Sequence, residues 1–102
     1  MGRAERNRPK RLSQKLAAIR QQLRIETLDE MIKRLDYPEL SLHRSDISQY
    51  EKGKREPPLP ILLRYARLAN IYLEVLVDDE LELPQQLPSN EKSEGIRLKI
   101  EF

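Results

Sequence analysis

Arg44-Ser-Asp-Ile-Ser-Gln-Tyr-Glu-Lys-Gly-Lys-Arg-Glu-Pro-Pro58 is the stretch on which the fold turns. Wound into a helix from Arg44 to Lys52, it places Arg44, Ser45, Ser48, Gln49 and Lys52 on one face, because they fall at i, i+1, i+4, i+5 and i+8. That face is polar and partly cationic, while Ile47 and Tyr50 point the other way, toward a core. Gly53 stands where a left-handed residue should stop the helix, Lys54 and Arg55 lie just beyond it, and the paired prolines forbid continuation. Hydrogen-bonding side chains ending in cations suit a DNA groove; the same stretch also fits an ordinary surface helix.

Working upstream, Thr27-Leu-Asp-Glu30 reads as a capping box, with the Thr hydroxyl accepting from the Glu30 amide and the Glu30 side chain reaching back to the Thr27 amide. Leu28, Met31, Ile32 and Leu35 then give a short buried stripe, ended before Pro38. Asp36 to Ser41 is a loop, or a loop with one extra turn. Earlier still, Leu12, Leu16, Ile19 and Leu23 recur at helical spacing, with Ser13 available as an N-cap and an end near Arg24.

Downstream, Pro60 fits the first turn of a fourth helix whose inner face is expected to be Leu59, Leu62, Leu63 and Ala66, with Asn70 as a left-handed cap. Residues 71–77 form a short fifth helix with Leu73 and Leu76 inward. The domain organisation is therefore a mobile basic arm over 1–11, a helical domain over 12–80, and a linker with a strand-like end over 81–102. In that end, Ile96-Arg-Leu-Lys-Ile-Glu-Phe102 alternates apolar and charged residues. A lone strand beside helices has no evident partner: it pairs with a second copy, packs on the helices, or stays disordered.

At 102 residues the chain fits one small domain plus tails, and few aromatics mean an aliphatic, helical core. The absence of cysteine removes disulfides, thiolate zinc sites and thiol nucleophiles, and it fits a reducing cytoplasm. No apolar run approaches the roughly 18 residues of a membrane span, and the cationic N-terminus precedes no hydrophobic secretion signal. Enzymatic chemistry has little support. His43 is the only histidine, placed at the start of the third helix as a cap or a phosphate neighbour; there is no Gly-rich phosphate loop among three glycines, and no metal or cofactor is implied. The distribution of charge is more telling than its sum. Arg3, Arg6, Arg8, Lys10, Arg11 and Lys15 face only Glu5 at the front. Asp78, Asp79, Glu80, Glu82, Glu91, Glu94 and Glu101 outnumber cations at the back. A basic front suggests an anionic partner met from one side.

Two short helices ahead of a polar-faced one make a helix-turn-helix arrangement, in which the second helix of the motif enters the major groove N-terminal end first. Arg44 is then placed to donate to guanine O6 and N7, Gln49 to pair with adenine, and Ser45 and Ser48 to take either role. His43, Lys52, Lys54 and Arg55, with Arg8, Lys10 and Arg11 on the arm, suit phosphates. Asp46, repelled by phosphate, is expected to point along the groove or toward a cytosine amino group.

Asp46-Ile-Ser-Gln-Tyr-Glu-Lys-Gly-Lys-Arg-Glu-Pro57 resembles the "x-Ile-Ser-x-x-Glu-x-Gly-x-Arg-x-Pro" run of the Cro- and lambda-repressor-like (XRE) helix-turn-helix family. Leu59 to Leu76 resembles that family's fourth and fifth helices without a gap. The resemblance covers residues 12 to about 80. It implies a five-helix, all-α DNA-binding domain of prokaryotic and phage regulators, nucleoid-associated and commonly a two-fold dimer. It also implies an ion pair between Arg20 on the first helix and Glu51. The chain departs from the family in three places: Leu28 replaces a phosphate-binding Gln, Asp36 replaces a turn glycine and precedes about five extra residues, and Ile32 replaces a small residue. Those departures keep open a second expectation, a protein-interaction module (an antitoxin or assembly adaptor) with residues 89–102 as the partner-binding segment.

Overall fold

The computed structural model describes residues 8–87 and 95–97. Among them the regular structure is almost all helix: α1 (Leu12–Gln22), α2 (Leu28–Leu35), α3 (Arg44–Glu51), α4 (Leu59–Ala69) and α5 (Leu73–Val77), followed by β1 (Leu81–Glu82) and β2 (Ile96–Arg97). No described helix is long and apolar enough to cross a membrane. The fold is all-α in character. One core joins Leu16 and Ile19 of α1, Met31 and Leu35 of α2, Ile47 and Tyr50 of α3, Ile61 and Tyr65 of α4, and Val75 and Leu76 of α5, all of them buried. Burying each of the aliphatic side chains and Met31 contributes about 1.5–3 kcal/mol over leaving it exposed, so every helix is tied to the others by its apolar stripe.

Left-handed residues end the first four helices. Gly53 (φ +74°) lets the Lys54 amide reach the Gln49 carbonyl at 2.9 Å and its own amide reach Tyr50 at 3.3 Å, a double closure of α3. Asn70 (φ 57°) and Arg24 (φ 58°) close α4 and α1 with the same pair of bonds. Asp36 (φ 53°) ends α2, so the residue standing where the resemblance expects glycine takes the conformation for which glycine is usually chosen. The extra residues after it are anchored, because Leu42 and Tyr37 pack against the core and the Arg64 guanidinium lies 5.2 Å from the Tyr37 ring centre.

Several expectations are corrected. Ser13 does not cap α1: the helix begins at Leu12, and the amides just before it are taken by Asp79 from the far end of the chain. At Thr27, by contrast, the expected cap is present, with the Glu30 amide donating to the Thr hydroxyl at 3.1 Å. On α4 the buried side is Ile61, Leu62, Tyr65, Ala66 and Ala69, whereas Leu59 is 60% exposed and Leu63 37%. Leu59 is the first residue of α4 and Leu63 lies one turn on, so both fall outside the buried side. Lys15, counted with the basic front, is 3% exposed, and its ammonium donates to the carbonyls of Val75 at 2.7 Å and Asp78 at 2.9 Å, at the end of α5. Burial first, and Arg11 second, hold its pKa below that of an ordinary lysine.

The segment after residue 80 is not a free linker. Leu81 and Leu87 belong to the core cluster. The strand expected to lack a partner has one inside the chain: β2 pairs antiparallel with β1, with Leu81 opposite Arg97 and Glu82 opposite Ile96. Gly95 (φ +81°) makes this approach possible, since a Cβ there would lie 2.6 Å from the Glu82 carbonyl oxygen and 3.0 Å from Val75. Of the arm expected to be mobile over 1–11, the amides of Lys10 and Arg11 are bonded to Asp79, while residues 1–7 and the remainder of the strand, 98–102, lie outside the described residues.

Candidate nucleic-acid interface

α3 is fixed from behind. Ile47 and Tyr50 are buried between α1, α2 and the body of the domain. Arg20 donates from Nε to Glu51 Oε2 at 2.7 Å and from Nη2 to Oε1 at 3.0 Å, with Nη1 reaching the Ile25 carbonyl at 3.1 Å. Side-chain exposures of 23% and 11% leave this fork little water, which strengthens it and makes loss of either partner costly. The bond to Glu51 is the main reason the Arg20 pKa is raised further.

At the leading end, Asp46 accepts the His43 amide at 2.8 Å and the Arg55 guanidinium at 2.7 Å. The His43 amide, together with Arg55, outweighs burial and holds the Asp46 carboxyl below the usual range. Asp46 is therefore turned back onto its own helix start and the loop behind it, not along a groove. A carboxylate at the third helical position naturally caps the preceding amide, and this use was missed although the His43–Asp46 spacing is a capping signal. The same contact occupies Arg55, whose guanidinium also lies 5.5 Å from the Tyr50 ring centre.

The forward face holds the other expected side chains. Arg44 and Ser45 are exposed, and Ser48 and Gln49, one turn on, are half-buried. Arg44 Nε lies 3.4 Å from Asp29 in the first turn of α2, a contact open to water and weak. His43, Lys52 and Lys54 are exposed at the two ends of the helix. Beyond them, Arg8 and Lys10 line a cleft of about 300 Å³ together with Tyr50, Gly53, Arg55 and Glu56, so the start of the described chain and the end of α3 share one notch in which cations outnumber the single carboxylate. Arg11 is on another side, paired with Glu82. The structure thus brings Arg44, Ser45, Ser48 and Gln49 onto one surface and gathers Arg8, Lys10 and Arg55 around a notch beside Tyr50 and Gly53, and it separates Arg11 from both.

The sequence reading missed Asp79, which accepts the amides of Lys10 at 2.9 Å and Arg11 at 3.0 Å. No local pattern announces it, because donors and acceptor are more than sixty positions apart. Compared with models of protein families, with curated proteins and with solved structures, the chain gives no match.

Proposed function

We propose that the chain is a sequence-specific binder of double-stranded DNA, a transcriptional regulator of the Cro- and lambda-repressor-like kind, which lays α3 in the major groove and carries out no catalytic step. The observation that carries the reading is the asymmetry of α3: its back is locked by Arg20, Ile47 and Tyr50, while Arg44, Ser45, Ser48 and Gln49 face outward with cations at the helix ends. In this reading Arg44 reads guanine, Gln49 adenine, and the two serines adjust to either. Lys52, Lys54 and His43 take phosphates beside the groove, and the arm adds Arg8 and Lys10. A two-fold dimer would place two such helices about one turn of DNA apart. Selection from a randomised duplex pool by electrophoretic shift, followed by sequencing, tests the reading: an enriched motif is expected, and a pool left unenriched contradicts it.

A second reading, a protein-interaction module, is favoured by Leu59 and Leu63, which expose apolar surface one turn apart on α4. Its expected segment, residues 89–102, lies mostly outside the described residues. Leu59→Ser with Leu63→Ser separates the two readings: loss of a protein partner with DNA binding intact assigns that surface to the partner.

A further inference from the structure

We propose that Asp79 and Glu82 are positioning residues for the basic arm, sorting its cations between the notch at the end of α3 and the segment that follows α5. The inference rests on the DNA reading above and concerns how that site is aimed. One carboxylate, Asp79, bridges two consecutive amides, Lys10 to Oδ2 at 2.9 Å and Arg11 to Oδ1 at 3.0 Å. Two bonds to neighbouring peptide units fix the direction in which the chain leaves α1, not merely its distance. Glu82 then holds the Arg11 guanidinium in an ion pair.

The consequence is a division between adjacent residues. Lys10, with Arg8, lines the notch at the end of α3 beside Tyr50, Gly53 and Arg55. Arg11 lines the opposite cleft with Glu82, Gln14 and Leu83. Burial alone would raise the Asp79 carboxyl, but the two amides, with Lys15 and Arg11, more than offset this and hold it below the usual range. The clamp is therefore charged at neutral pH.

Glu82 is itself held in place from behind. Leu81 is buried, β2 is paired across β1, and Gly95 sits against the Glu82 carbonyl where no larger residue fits without a shift. The C-terminal segment thus determines which arm cations face DNA. In this arrangement Arg8 and Lys10 contribute phosphate contacts, and Arg11 is withheld.

The test is the salt dependence of binding, measured by fluorescence anisotropy on a duplex taken from the selection above, between about 50 and 200 mM salt. Each phosphate contact contributes about 0.9 to the slope of log affinity against log salt. Folded Asp79→Ala is expected to lose about one to two such contacts and to keep its base preference, because α3 is untouched. A purely structural Asp79 would lower the melting temperature and leave the slope alone, and an unchanged or steeper slope overturns the proposal. Should Asp79→Ala not fold, Glu82→Gln decides. Releasing Arg11 is expected to steepen the slope by about one contact relative to Glu74→Gln, which removes the same charge from exposed α5 surface. Equal slopes for Glu82→Gln and Glu74→Gln overturn it. A wild-type chain that binds no duplex overturns the DNA reading and this inference with it, whereas binding with unaltered slopes overturns this inference alone.

Discussion

Behind α3, Glu51 is gripped by two nitrogens of Arg20 at 2.7 and 3.0 Å in a setting nearly closed to water. In front, Arg44 meets its acidic neighbour Asp29 only at 3.4 Å, with both side chains 71% exposed. The same eight-residue helix therefore carries one face whose side chains are over-determined and one whose side chains are free to choose new partners. Removing a group from the first strands a charge or opens the core; removing one from the second costs the fold little. Constrained and accessible side chains are separated across the width of one helix, which lets the forward face vary without loss of the scaffold.

The sharpest way to break this contrast is Glu51→Ala. It leaves the Arg20 guanidinium without its carboxylate and is expected to cost roughly 3 kcal/mol. A melting temperature lowered by more than about 10 °C is the corresponding readout for a domain of this size. A variant that melts like the wild type would show that the back of α3 is no more constrained than the front. Arg44→Ala should do the reverse: melting stays put, while discrimination at one base pair relaxes by about 1–3 kcal/mol, read by binding to single-base variants of the selected duplex.

Arg24→Gly examines the neighbouring α1 end, where a β-carbon is carried at φ 58°. Relief of the left-handed conformation should stabilise the domain by about 1 kcal/mol in chemical denaturation, and destabilisation would mean the arginine side chain has a role the backbone does not reveal. Acid titration gives a smaller effect. The Asp46 carboxyl is lowered in the folded chain, so its stabilisation is complete above the unfolded pKa and is lost as pH falls through the folded one. From about pH 6 to about pH 3, Asp46→Asn should therefore lose less stability than the wild type, and parallel losses would deny Asp46 its capping role.

The scaffold side was legible because its signals are local. Gly53 and Asn70 stand where helices must end, Thr27 caps α2, and Ile47 and Tyr50 fall at core spacing. Arg20 and Glu51 came from the family resemblance, since no spacing rule links positions thirty-one apart. Illegible were the contacts that close the chain on itself: Lys15 beneath α5, Asp79 on the arm, and β2 on β1. Each joins distant segments through a carbonyl, an amide or a two-residue ladder, none of which leaves a periodic trace. Leu59 and Leu63 were misread for a related reason, because periodicity fixes which residues share a face but leaves the rim of the stripe to tertiary packing.

The forward face is the claim on which everything else depends, and duplex selection followed by single-base competition tests it most directly. An enriched motif is expected, in which Arg44→Ala erases preference at one position and Gln49→Ala at another, with melting unchanged in both. An enriched motif whose every position keeps its preference in both variants would contradict it.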